Sequence, residues 1–176
     1  MTTDLDLYIP NKRNLKTCNI TNELRHNSYI RYDDFLSNKT IFVSDKDFKI
    51  EFLTKYDRTM NNSINIEKIN IYAEALNYIS LLEINEISVN YKEYKVRVPN
   101  PASFVLHKLL ISKDRSEEKQ LKDLDSILYI VDKFKNSLDF KSTISLTFKE
   151  LPKKWKKKII QTVEKYEIVK LKEILI

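Results

Sequence analysis

The chain of 176 residues contains no glycine at all. Glycine is the residue that reaches positive φ without steric cost and lets a backbone press against phosphate, so Gly-rich phosphate cradles of the Walker and dinucleotide-binding kinds are excluded. Cysteine occurs once, at Cys18, which rules out a disulfide framework and agrees with a reducing, cytoplasmic setting. With only two histidines to activate it, Cys18 is expected to be a packing residue on a helix face rather than a nucleophile. There is no apolar run of membrane length and no apolar leader after Met1, so no membrane association is expected. Charge of one sign is only mildly in excess: 31 basic against 25 acidic residues give +6 and a pI near 9.2, compatible with phosphate-bearing partners without requiring them.

What is present begins at the N-terminus. In Thr2-Thr3-Asp4-Leu5-Asp6-Leu7 the alternation of a β-strand puts Asp4 and Asp6 on one face and Leu5 and Leu7 on the other. Glu51, between Ile50 and Phe52, stands in a second strand-like run. If the two strands lie side by side, three carboxylates converge, and such a group suits a hard cation such as Mg²⁺. Asp-x-Asp is also a common chance pattern, and strand-end aspartates are often solvated turn residues.

Along the chain, the spacing predicts a turn at 10–14, a helix over 15–29, and strands at 40–43 and 48–53 joined by the acidic turn 44–47. Residues 56–65 read as loop, and 69–84 fits a helix or a strand equally. Alternation over 86–98 predicts a β-hairpin turning at Lys92-Glu93. Pro101 opens an apolar helix to Ser112, and a longer helix with acids in its first turn runs from Ser116 to about Phe134, the two packing as an antiparallel pair. Residues 136–147 are ambiguous, with Ile144, Leu146 and Phe148 alternating as in a strand. A last helix is expected over 152–171. The expected division is a sheet domain over 1–100 and a helical part over 101–176.

Together these pieces resemble the bacterial nucleotidyltransferases of the DNA-polymerase-β-like superfamily, nearest to proteins related to AbiEii-type toxins. The resemblance runs from Thr2 to about Phe134. It rests on Thr2-Thr3-Asp4-Leu5-Asp6-Leu7, on Ile50-Glu51-Phe52-Leu53, and on the ordered elements His107-Lys108, Arg115, Lys119 and Lys122-Asp123-Leu124. It implies an α/β (α+β) fold with a mixed sheet followed by helices. The family places a Gly-Gly or Gly-Ser turn and a helix before the Asp-x-Asp strand, and this sequence has neither ahead of Asp4. The resemblance therefore implies an N-terminally truncated form, a natural remnant, or a fold completed by another chain, with an exposed sheet edge open to self-association or to a partner.

By the same resemblance, Asp4, Asp6 and Glu51 are the candidate metal-binding and catalytic residues, holding Mg²⁺ or Mn²⁺ and orienting or deprotonating an attacking hydroxyl. Lys108, Arg115, Lys119 and Lys122 are the candidate nucleotide contacts, with an NTP as substrate. The acceptor is open among transfer RNA, a protein and a small molecule. The alternative is an inactive remnant serving as an interaction module in a toxin–antitoxin or phage-defence pair. Read on their own residues, Lys108 also fits a snorkelling side chain, and Arg115, Lys119 and Lys122 fit local ion pairs with Glu117, Glu118 and Asp123. Asp123 and Asp125 read as structural, His107 as a hydrogen-bonded core histidine and His26 as exposed. The lysines of 153–158 around Trp155 read as the solvated side of an amphipathic helix, with RNA gripping as the other reading.

Overall fold

The computed structural model describes residues 4–10, 15–34, 36–56 and 62–175. Thr2, Thr3 and most of the expected turn at 10–14 lie outside these. The chain forms two compact units, Met1–Asn77 and Tyr78–Ile176.

The first unit is built on β4 (Lys49–Lys55), which takes strands on both edges. Along one edge runs β1 (Asp4–Tyr8), parallel, with Ile50 opposite Leu5 and Leu53 opposite Tyr8. Along the other edge β3 (Lys39–Ser44) pairs antiparallel with the first half of β4, and β6 (Ile71–Leu76) pairs parallel with the second half. The sheet is extended by β2 (Tyr29–Asp34) against β3 and by β5 (Ser63–Ile66) against β6, both antiparallel. It is thus a mixed sheet, as expected. Its inward-facing residues, Phe42, Ile50, Phe52, Ile66, Ile71 and Ala73, form one core. The short helix α1 (Ile20–His26), capped by Asn19, lies over it through Ile20 and Leu24.

A polar clasp holds the rim of this core. The Arg31 guanidinium donates to the Asp33 carboxylate, to Thr21 Oγ1 (3.0 Å) and to the Asn70 carbonyl (2.8 Å), joining β2, α1 and the turn before β6. Thr40 Oγ1 donates to Asp33 and accepts from the Tyr72 amide, so β3 and β6 are tied where their ladders with β4 part.

In the second unit a hairpin, β7 (Ile87–Tyr91) and β8 (Tyr94–Val98), turns at Lys92-Glu93. Five helices follow: α2 (Pro101–Ile111), α3 (Glu117–Lys133), α4 (Leu138–Glu150), α5 (Lys153–Lys165) and α6 (Val169–Leu175). Apolar on nearly all sides, α2 is the central element, with Val105, Leu106, Leu109 and Leu110 fully buried among residues of the other four helices.

Several expectations are corrected. The helix expected over 15–29 shrinks to α1: residues 15–19 are coil, Asn19 caps the helix, and Tyr29 opens an edge strand. Cys18 accordingly sits exposed in coil before α1 instead of packing on a helix face. Part of the loop expected at 56–65 is β5. The ambiguous stretch over 69–84 resolves into β6 and a 3-10 turn, Ile79–Glu83. The strand-like alternation around Ile144 is helical: Ser137 caps α4, and Phe140, Ile144, Thr147 and Phe148 make a buried stripe at i, i+4, i+7 and i+8. The last helix breaks at Glu167, whose φ is 50°, into α5 and α6.

The missing glycines leave their mark on the turns. Among the described residues the positive-φ positions are filled by Asn38, Asn70, Asn85, Asp47, Ser28, Tyr78, Lys92 and Glu167. Asparagine tolerates this region best after glycine, because its short amide bonds locally. Replacing Asn70 by alanine is expected to cost about 1 kcal/mol, and replacing it by glycine to be near neutral, as read from urea midpoints.

Candidate functional site

Strand alternation and register decide what shares a face. Asp6 is the register partner of Glu51, and Asp4 precedes Asp6 on the same side. Neighbouring strands are about 4.8 Å apart, so Asp6 and Glu51 leave adjacent positions pointing the same way. On this face Glu51 is half-buried, while Asp4 and Asp6 are exposed. The side-by-side pairing of the two strands that the sequence reading made its condition is present, since β1 and β4 pair in register.

The face also carries two residues that sequence reasoning missed. Glu74 on β6 is the register partner of Leu53, two residues beyond Glu51. Lys39 on β3, two residues before Glu51's partner Ile41, forms an ion pair with Glu74. The period-two alternation of β6 was the signal for Glu74, but the same residues also fit a helix.

The electrostatics of Glu51 record this company. Burial pushes its carboxyl above the ordinary range; Lys39 pulls it back, and Asp6, Glu74 and Asp4 push it further up. A carboxylate so placed is stabilised in its ionised form by added positive charge. Among the described residues no three His, Cys, Asp or Glu side chains are gathered closely enough to cage an ion. The donor chemistry nevertheless fits Mg²⁺, which is held by one or two carboxylates with water and phosphate oxygens completing its shell.

The second unit gathers a different group. Asp123 of α3, 1% exposed, accepts from Lys108 Nζ at 2.6 Å and from Arg115 Nη1 at 2.8 and 2.9 Å. Lys108 also lies over the Phe104 ring, 5.3 Å from its centroid. Two cations thus meet one buried anion, and Asp123 has the structural part expected of it. Lys119 and Lys122 are exposed on α3, and Lys122 pairs with Glu118 one turn back. Of the four candidate nucleotide contacts, the structure brings Lys108 and Arg115 together and leaves Lys119 and Lys122 on the outer surface.

His107 is buried beside this group, as expected, but its Nε2 has no hydrogen-bond partner among the described residues. Burial lowers its pKa from 6.5 to about 4; Lys108 and Arg115 lower it too, and Asp123 opposes them. His26 is exposed, as expected.

A mixed sheet with an Asp-x-Asp strand in register with a third carboxylate, followed by helices, defines a nucleotidyltransferase-like α+β protein. The sequence pattern described as "Nucleotidyltransferase" matches residues 1–142, and the chain belongs to that family. No curated protein matches the chain. Among solved structures, it is similar to an antigenic nucleotidyltransferase-like protein from Paracoccidioides brasiliensis, at 14% identity and a TM-score of 0.39, over 90% of this chain and 74% of that one. That likeness is too distant to bear on the site. Among the described residues no helix is long and apolar enough to cross a membrane.

Two outcomes are expected of the second unit. Because the folded pKa of His107 lies below its unfolded value, the unfolded chain takes up the proton first. Stability is then full above pH 6.5 and lost as pH falls from about 6.5 to about 4, by up to about 3 kcal/mol. Urea unfolding across this range is expected to show the loss in the natural chain, with a smaller loss in His107→Leu. Asp123→Ala, which leaves Lys108 and Arg115 without their anion, is expected to cost about 3–5 kcal/mol in the same assay, and Lys122→Ala to leave the midpoint nearly unchanged.

Proposed function

We propose that the chain is a metal-dependent nucleotidyltransferase that transfers a nucleoside monophosphate from an NTP to a hydroxyl acceptor. The observation that carries this reading is the register of Asp6 with Glu51, with Asp4 on the same open face. Asp4, Asp6 and Glu51 are the residues that would hold Mg²⁺ or Mn²⁺. Divalent ions supply charge neutralisation of the triphosphate and polarisation of the transferred phosphoryl, and a pair of them clamps an in-line displacement.

The chain's own residues contribute position and proton handling. Asp4 and Asp6 are fixed by the ladder of β1 with β4, so both carboxylates are presented without a loop to order. Glu51, aligned with Asp6 by the ladder and kept ionised by the positive charge it would meet there, is placed to take the proton of the attacking hydroxyl. Lys39, paired to Glu74, offsets the crowded acids before ligand arrives. Lys108 and Arg115 outnumber their shared anion and offer residual positive charge to phosphate, with Lys119 and Lys122 as outer contacts.

One observation favours a second reading, an interaction module without turnover. Leu5 and Leu7 are 44% and 37% exposed on β1, whose register partners Ile50 and Phe52 are buried.

Thermal unfolding with Mg²⁺ or Mn²⁺ and each NTP, beside an Asp4→Asn, Asp6→Asn variant, separates the two. A ligand at a hundred times its Kd adds about 2.7 kcal/mol, so a rise of several degrees that needs both metal and nucleotide is expected. The variant should lose it. No shift with any NTP would overturn the transferase reading, and a rise kept by the variant would overturn the assignment of the carboxylates.

A further inference from the structure

A shallow cleft of about 520 Å³ opens in the second unit, and none of its lining residues belongs to the Asp123 group. Four lysines line it: Lys154, Lys157 and Lys158 from α5, and Lys113 from the 3-10 turn after α2. Asp114 is the acid among the lining residues, and it is bound to Lys158. Between the lysines lie Trp155 and Tyr78, edge to face with ring centroids 5.0 Å apart. Lys158 also sits over the Tyr78 ring, at 5.2 Å.

Two features separate this arrangement from an ordinary solvated helix face. The first is where the charge lies. No side chain caps α5, no acid stands in its first turn, and Lys153 and Lys154 occupy that turn instead. Cations at the positive end of a helix are unfavourable, and Asp114 is a single acid facing four lysines, of which Lys113 is held by the neutral Gln161 Oε1 at 2.9 Å. The second is the backbone of Tyr78, a bulky residue held at φ 64° with its ring against Trp155. Both rings are half-buried against the helical core, which holds them in place.

The occupant must be anionic and must offer planar groups at the spacing of its charges. We infer that this cleft binds single-stranded nucleic acid, with Lys113, Lys154 and Lys157 on the phosphates and the Trp155 and Tyr78 rings against the bases. Lysines interleaved with aromatics match the alternation of phosphate and base along a strand. A lipid surface fits poorly, because the apolar side of α5, Ile159 and Val163, is buried in the helical core and cannot enter a membrane. This inference concerns the second unit alone and stands whether or not the chain transfers nucleotides.

Trp155 is the sole tryptophan of the chain, so its emission reports this cleft directly. Titration of the whole chain with a short oligouridylate across a salt series is expected to give saturable quenching with log K falling linearly against log salt. Lys154→Ala with Lys157→Ala, both exposed, should keep the unfolding midpoint, weaken binding by about tenfold or more at low salt, and reduce the salt slope by about 1.4. A matched pair at exposed lysines elsewhere, Lys141→Ala with Lys172→Ala, should change little. Absence of quenching would overturn the inference, as would an equal loss in the matched pair. Equal affinity and quenching with inorganic polyphosphate, polyglutamate or phosphatidylglycerol vesicles would overturn it too, since bases would then contribute nothing.

Discussion

The pairing of β1 with β4 is the constraint on which the first unit depends. β4 is the strand through which β1, β3 and β6 all meet, and each ladder fixes which of its side chains look inward. A slip of one residue between β1 and β4 would turn Asp4 and Asp6 to the apolar side and Leu5 and Leu7 to the acids. The core therefore specifies the acidic face: burying Ile50 and Phe52 obliges Glu51 to point the other way. Hydrophobic burial and placement of the carboxylates are one event.

The second unit solves a different problem. An almost wholly apolar α2 needs cover on every side, and the helices that supply it also seal in His107, Lys108 and Asp123. Charges taken from water must be matched, and Asp123 matches two at once. Lys108 and Arg115 are thereby held at defined positions instead of roaming on long stems. An anchored cation loses less freedom on meeting an anion than a free one does.

Legibility followed the strength of local signals. The hairpin at Lys92-Glu93 and the helix opened by Pro101 read cleanly, because period-two alternation and a proline at the first helical position have few competing explanations. Glu51 was named as a companion of Asp4 and Asp6 from alternation and the family likeness together, and its register with Asp6 came only from the ladder. Glu74 was hidden, since Ala73, Leu76 and Ile79 also fall at helical spacing, and only the pairing of β6 with β4 decides between the two. β2 was lost for the reverse reason. Its exposed Ile30 and Tyr32 do not alternate with buried apolar partners but with Arg31, whose partial burial rests on a long-range clasp that no local window contains, and with Asp33, which stays exposed. Asp123 was within reach of the local reading as an ion-pair partner of Arg115, but Lys108 as its second cation belongs to tertiary structure.

The asparagine-built turns carry a consequence for the age of the molecule. Deamidation begins when the backbone nitrogen of the next residue attacks the asparagine side-chain amide, and a following glycine makes that attack easiest. Here Asn38, Asn70 and Asn85 are followed by Lys39, Ile71 and Glu86, whose side chains crowd the attacking nitrogen. A chain that turns on asparagine and lacks glycine is thus spared its fastest route to chemical decay. Its corners keep their charge, and hence their shape, as the protein grows old.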